Sequence, residues 1–159
     1  MTSFIVTHCR DVGAPLARPA LSAALGAALV AWCPQSAQAL DRYTWNARPL
    51  VVFAGSEDSA ELARQKAIVS DARGGFAERD IVVVYIVGDS VTAELGPGPE
   101  MTAAALRIRL GVAAGTFRAV LVGKDGGAKL SASKPILAKR LFATIDAMPM
   151  RREEMRQNR

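Results

Sequence analysis

The chain is poor in the side chains that carry most enzyme chemistry. It has one histidine, His8, and two cysteines, Cys9 and Cys33, among 159 residues. All three lie in a stretch with the composition of a removable export signal. Without that stretch the protein has no thiol and no imidazole. The absence of thiol and imidazole groups excludes disulfide exchange, nucleophilic catalysis by cysteine, and zinc sites built from cysteine and histidine.

Residues 1–39 have the three parts of a signal peptide. Arg10 and Arg18 precede an apolar stretch over residues 20–32, and the small-residue sequence Ala37-Gln38-Ala39 follows it. Such a pattern predicts cleavage after Ala39 and a periplasmic or secreted protein. An uncleaved membrane anchor is the alternative. Lipidation of Cys33 is disfavoured because the bulky Trp32 precedes it.

Long apolar runs and aromatic residues are also scarce. The apolar run over residues 19–32 is shorter than the roughly 20 residues that span a bilayer, so we expect no stable membrane span after cleavage. Aromatic residues make up 6% of the chain. The basic residues cluster only at the C-terminus, where no aromatic side chain could stack on a base. Nucleic acid is therefore not an expected partner.

The remaining residues alternate between strand and helix patterns. Apolar, β-branched runs predict four strands, at residues 50–54, 81–87, 119–122 and 128–131. Amphipathic or alanine-rich stretches predict three helices, at residues 60–73, 101–110 and 135–148. Residues 123–127 contain an Asp-Gly pair that is typical of a hairpin turn.

The predicted order is βαβαββα. Because the third and fourth strands are too close for a crossover helix, they pair antiparallel, whereas the first two strands pair in parallel. We therefore predict one α/β, thioredoxin-like domain over residues 40–159. It would have a mixed four-stranded sheet flanked by helices, and residues 149–159 would form a polar C-terminal tail.

Four segments together resemble an exported bacterial domain-of-unknown-function family, numbered 4174. They are residues 45–53, 78–83, 120–127 and 142–151. The resemblance extends from about residue 40 to residue 156, and a similar domain occurs in some animal extracellular matrix proteins. It implies a thioredoxin-like fold with no agreed activity, and it transfers no catalytic residue.

Both parts of a thioredoxin redox site are missing. The reactive cysteines of that fold normally lie in the first βα loop, where a helix N-terminus lowers the thiol pKa. Residues 55–58, Gly-Ser-Glu-Asp, occupy that loop here, and Thr116-Phe117-Arg118 occupies the region of the expected cis-proline. We expect no thiol–disulfide activity, no catalytic residue, no cofactor and no metal.

Weaker candidates for chemistry lie in the same loop. Glu57 and Asp58 could serve as paired carboxylates in acid–base catalysis, although acidic residues also stabilise the start of a helix. With Asp89 they could in principle hold calcium, but three scattered acids are weak grounds for a metal site. The glycines and lysine of residues 123–126 resemble a phosphate-binding loop. However, the segment leads into a strand rather than a helix.

Two further segments could contact a partner. Tyr43, Trp45 and Arg48 form an amphipathic lead-in that we expect to cover the sheet edge, with partner contact as the alternative. Residues 148–152 combine methionine with arginine, both frequent in interfaces. The candidate surface residues are Glu57, Asp58, Phe117, Arg118, Met150, Arg151 and Arg152.

The sequence favours an exported, non-redox binding or structural module. Its expected partner is another envelope or extracellular protein, and the sequence does not determine its oligomeric state. The alternative function is a hydrolase or isomerase that uses carboxylate and hydroxyl groups of the first βα loop.

Overall fold

A computed structural model describes residues 38–157. The predicted signal segment up to residue 37, with His8 and both cysteines, lies outside the described residues. The strands are β1 (Arg48–Ala54), β2 (Ile81–Val87), β3 (Ser90–Glu94), β4 (Arg118–Val122) and β5 (Ala128–Ala132). The helices are α1 (Ala60–Asp71), α2 (Arg73–Glu78), α3 (Ala103–Leu110), α4 (Ala138–Asp146) and α5 (Pro149–Gln157), with a 3₁₀ helix at Gln38–Tyr43.

The five strands form one mixed sheet in the order β3-β2-β1-β4-β5. β1 pairs with β2 in parallel and with β4 antiparallel, and the two outer pairs are antiparallel. The α/β class and the four predicted strands are confirmed, but the predicted strand number is wrong. The additional strand, β3, lies at the sheet edge with three of its five residues exposed, so it has no continuous apolar run.

Helices cover both faces of the sheet. The central strand β1 is buried along its whole length, as its continuous apolar run predicts. Its alternate side chains enter two separate apolar clusters. The first cluster joins Leu50 and Val52 to α1, α2 and α4. The second joins Val51 and Phe53 to the 3₁₀ helix and α3.

The first and last predicted helices differ most from the observed ones. The first predicted helix is broken at Ala72, and the glycines expected to end it lie inside α2. A Cβ on Gly75 would lie 2.6 Å from the Phe142 ring, so glycine allows α2 and α4 to pack closely. The last predicted helix begins at Ala138 instead of Pro135.

The late start of α4 follows from a hydrogen-bonded anchor. The buried Gln65 side chain accepts a hydrogen bond from the Ile136 N–H at 2.7 Å and donates one to the Ile136 carbonyl at 3.3 Å. These bonds occupy backbone groups of Ile136, and Leu137 is extended.

The predicted polar C-terminal tail is helical. Residues 149–157 form α5, with Pro149 in its first turn.

None of the described helices is long and apolar enough to cross a membrane.

Candidate functional site

The candidate surface residues lie at opposite ends of β1. Phe53, near the C-terminal end of β1, is the register partner of Arg118, so Phe117 and Arg118 lie near the loop that carries Glu57 and Asp58. Arg48, at the N-terminal end of β1, contacts α5. The loop that carries Glu57 and Asp58 and the region around α5 are therefore about 20 Å apart, the length of the seven-residue strand β1.

The first βα loop is open to solvent. Glu57 is exposed and forms a 3.0 Å ion pair with the exposed Lys66. Asp58 is also exposed. Ser59 caps α1, because its hydroxyl accepts a hydrogen bond from the Leu62 N–H. The cap of α1 is therefore Ser59, and neither carboxylate is enclosed as acid–base catalysis would require.

Phe117 and Arg118 have structural contacts. Phe117 is half-buried against the first apolar cluster. The Arg118 guanidinium donates a hydrogen bond to the Ser131 hydroxyl on the neighbouring strand β5 at 3.3 Å. These contacts account for both side chains without a ligand.

The backbones of Gly55 and Gly115 approach each other closely. A Cβ placed on Gly55 would lie 2.8 Å from the Gly115 carbonyl oxygen. The first βα loop and the loop before β4 are therefore in contact at this end of the sheet.

The three acids considered for calcium do not form a binding group. The Asp89 carboxylate extends into solvent and lies 3.9 Å from Arg107. Among residues 38–157, no cluster of three acidic, histidine or cysteine side chains could hold a metal ion.

The opposite end of the sheet contains a network of ion pairs made by buried cations with partly exposed carboxylates. Arg48 is 1% exposed. Its guanidinium donates hydrogen bonds to Glu154 at 2.9 Å and to the Arg79 carbonyl at 2.9 Å. Its Nε has no hydrogen-bond partner. Arg48 thus links the start of β1 to α5.

Lys124, in the turn between β4 and β5, is the second buried cation of this network. Its Nζ lies 2.8 Å from Glu154 and 2.9 Å from Asp80. Partial burial alone would raise the pKa of Glu154. Hydrogen bonds from Lys124 and Arg48 outweigh that effect, so the pKa of Glu154 lies below its ordinary value.

A second part of the network holds α4 and α5 together. Arg79 makes two hydrogen bonds to the Asp146 carboxylate, at 3.0 and 2.8 Å, which raise the pKa of the guanidinium. Its guanidinium also lies 4.4 Å from the centre of the Phe142 ring. Arg151 is buried and pairs with Glu78 at 3.1 Å. Arg151 also lies 3.6 Å from Asp146, so these pairs fix α5 against α2 and α4.

A cavity of about 360 Å³ opens beside this network. Its walls are mostly apolar and come from the junction of α4 and α5, where Ala147, Met148, Pro149 and Met150 lie. Its polar lining residues are Arg48, Lys124, Asp125, Lys129 and Thr144. A second depression, lined by Pro149, Arg152, Met155 and Arg156, shares Pro149 with the first. We call the two together the α5 groove.

Residues 148–152, which the sequence indicated as a possible partner contact, lie partly in the ion-pair network and partly in the α5 groove. Arg151 points inward to its ion pairs, whereas Met150 lines the cavity and Arg152 lines the second depression. Of the lead-in residues, Tyr43 and Arg48 are buried, and Tyr43 packs on a face of the sheet. Arg48 belongs to the central strand β1 and Trp45 is 69% exposed, so the expectation that the lead-in covers the sheet edge is wrong.

The sequence does not indicate that Arg48 and Lys124 lie together at the cavity. Arg48 and Lys124 bind the same carboxylate of Glu154, yet Arg48 and Glu154 are 106 residues apart in the chain. No local sequence pattern predicts a contact between residues so far apart in the chain. The available signal was an arginine at the start of a buried strand, since arginine is seldom buried without a partner.

The described residues define an α/β domain with a mixed five-stranded sheet and a C-terminal helix held by ion pairs. The chain belongs to the family described as Domain of unknown function (DUF4174), whose family model matches residues 39–154. This match confirms the family that the four sequence segments indicated. No curated protein and no solved structure matches the chain significantly.

Proposed function

We propose that this chain is an exported, non-redox, thioredoxin-like module that binds another protein of the envelope or extracellular space through the α5 groove. The observation that carries this proposal is the cavity between α4 and α5, whose walls include Met148 and Met150. Methionine side chains adapt to irregular partner surfaces, and concave apolar sites are where proteins bind ligands.

The strand pairing supports the thioredoxin-like part. β1 and β2 are parallel, β4 and β5 form an antiparallel hairpin beside β1, and α4 covers the sheet after the hairpin. β3 extends this core at the β2 edge. Export is supported by the signal-like composition of residues 1–39.

The environment of the first βα loop supports binding over catalysis. Hydrolysis or isomerisation there would need a carboxylate that is shielded from water. Glu57 is instead exposed and paired with Lys66. No observation on the described residues favours the enzyme alternative.

Export and redox inactivity are tested on protein recovered from the envelope after expression of the full chain. Intact-mass analysis is expected to give a chain that begins at Leu40. An insulin-reduction assay with dithiothreitol is expected to match the protein-free control, because exchange needs a thiolate. A chain that begins at Met1, or activity above the control, contradicts this part of the proposal.

Binding is tested by crosslinking in the envelope with three forms of the full chain. They are the natural sequence, the double variant Met150→Gln/Arg152→Gln in the groove, and Arg64→Gln on the exposed surface of α1. We expect one set of partners to crosslink to the natural chain and to Arg64→Gln, and to be lost from the double variant. The same set with all three forms would place the binding surface elsewhere.

A further inference from the structure

The α5 groove combines a basic ridge with a cavity that has methionine and proline on one side and charged side chains on the other. Pro149, Arg152 and Arg156 follow one another at spacings of three and four residues, so they lie on one face of α5. Both arginines are exposed and line the second depression. The cavity beyond Pro149 has apolar walls from Met148 and Met150.

The arginines on the two sides of α5 differ in how many acidic partners they have. The inward-facing Arg151 has acidic partners at Glu78, Asp146 and Glu154. On the outer face, Arg156 pairs with Glu153, and within residues 38–157 no ion pair involves Arg152. An anionic partner across this face would supply the counter-charge that Arg152 lacks within the described residues.

The lining residues indicate which anionic partner fits. Neither depression has an aromatic lining residue on which a nucleic-acid base could stack. The cavity, at about 360 Å³, is near the lower end of the range of roughly 300–1,000 Å³ for ligand pockets and has room for a bulky apolar side chain. Arginines four residues apart on a helix have Cβ atoms about 6 Å apart. Alternate side chains of an extended peptide have a similar spacing, about 6.6 Å.

We infer that the α5 groove binds an extended acidic peptide segment of the partner protein. A bulky apolar side chain of the segment occupies the cavity at Met148 and Met150, and acidic residues at alternate positions beyond it contact Arg152 and Arg156. The recognised pattern is an apolar residue followed two and four positions later by Asp or Glu. This inference rests on the proposed function and names the chemistry of its partner.

The test uses fluorescein-labelled synthetic peptides and protein purified after expression of the full chain. The probe contains Leu-Ser-Glu-Ser-Glu. One control peptide replaces both Glu by Gln, and the other replaces Leu by Ser. We expect the probe to bind saturably with a Kd below about 1 mM, and both controls to bind at least about tenfold more weakly. Raising the salt concentration is expected to weaken binding of the probe, because the contacted arginines are exposed.

Matched protein variants locate the contact. Arg152→Gln/Arg156→Gln and Met150→Gln are each expected to raise the Kd of the probe about tenfold, while Arg64→Gln leaves it unchanged. Circular dichroism and thermal unfolding of each variant verify its fold. If Met150→Gln alters α5, the charge variant and the two control peptides still test the inference.

Three outcomes would overturn the inference. They are equal binding of the Glu and Gln peptides, absence of probe binding, and binding to phosphatidylglycerol vesicles in place of the peptide. If crosslinking in the envelope still depends on Met150 and Arg152 in those cases, the groove binds a partner of different chemistry and the proposed function stands. If crosslinking is also independent of these residues, both proposals are wrong.

Discussion

The Lys124 Nζ lies 2.8 Å from Glu154 Oε1, and this ion pair joins the turn between β4 and β5 to α5. Arg48, at the start of β1, donates a hydrogen bond to the same oxygen. Arg151 is the residue of α5 that is buried, and it is charged. The last helix is therefore held to the sheet mainly by charge pairs, and the α5 groove depends on them for its shape.

Replacing Arg48 with Met tests how much this network stabilises the fold. The substitution keeps most of the aliphatic volume but removes one of the two buried cations that bind Glu154 Oε1, and it removes the donor to the Arg79 carbonyl. We expect the free energy of unfolding to fall by about 2–3 kcal/mol, less than for a fully enclosed pair because Glu154 is partly exposed. Urea denaturation measures the change.

The matched control is Arg73→Met, which removes a surface ion pair with Glu94. We expect a loss within about 0.5 kcal/mol for this variant. Equal small losses for both variants would show that the buried network adds little to stability.

The depressed pKa of Glu154 predicts how stability changes with pH. Because the pKa is lower in the folded than in the unfolded state, the ionised carboxylate stabilises the fold above the unfolded pKa, about 4.3. This contribution is lost as pH falls through the folded pKa. The stability gap between the natural chain and Glu154→Gln is expected to be largest near pH 7 and to shrink below about pH 4.

Urea denaturation of both proteins at a series of pH values measures this gap. Glu153→Gln, on the exposed side of α5, serves as the control and is expected to change stability near neutral pH by no more than about 0.5 kcal/mol. A Glu154→Gln gap that stays constant or widens on acidification would contradict the assigned role of the carboxylate.

Leu141→Ala tests the packing of α4 on the sheet. Leu141 is fully buried in the first apolar cluster, so the truncation leaves a cavity and is expected to cost about 2–5 kcal/mol. Leu137→Ala is the matched control, because Leu137 is 58% exposed and is expected to change stability by no more than about 0.5 kcal/mol. Thermal or urea unfolding measures both. A negligible effect at Leu141 would mean that α4 does not pack as described.

Gln65→Met tests the anchor that delays the start of α4. It keeps a side chain of similar length but leaves the N–H and carbonyl of Ile136 without their buried partner. We expect a loss of about 2–4 kcal/mol and faster amide hydrogen exchange at Ile136. Gln157→Met, at the exposed C-terminal end of α5, is the control, and we expect it to change the free energy of unfolding by no more than about 0.5 kcal/mol. Unchanged exchange at Ile136 would contradict the anchoring role.

The sequence predicted the elements whose signal is local. β1, β2 and β4 appear as apolar runs because they are buried, and residues 123–127 form the predicted turn, in which the Gly126 N–H donates to the Gly123 carbonyl. β3 escaped prediction because an exposed edge strand needs no apolar run. The boundaries of α4 depend on Gln65, which is 71 residues from Ile136 in the chain.

The candidate site was predictable only in part. Met150 and Arg152 were identified from residue type and line the α5 groove. Arg151 has the same residue type as Arg152, yet it faces inward, because only the three-dimensional placement of Glu78 and Asp146 decides which arginine is paired. Arg48 and Lys124 meet at Glu154 through the sheet order, which no single stretch of sequence encodes.

The close approach of Gly55 to Gly115 predicts a pattern of covariation within the family. Any residue larger than glycine at position 55 would push a Cβ into the Gly115 carbonyl, so it requires the loop before β4 to move. Gly115 itself has a φ of +75°, a conformation that glycine adopts most readily. The two positions are therefore expected to change together, with a side chain at position 55 accompanied by a length change before β4.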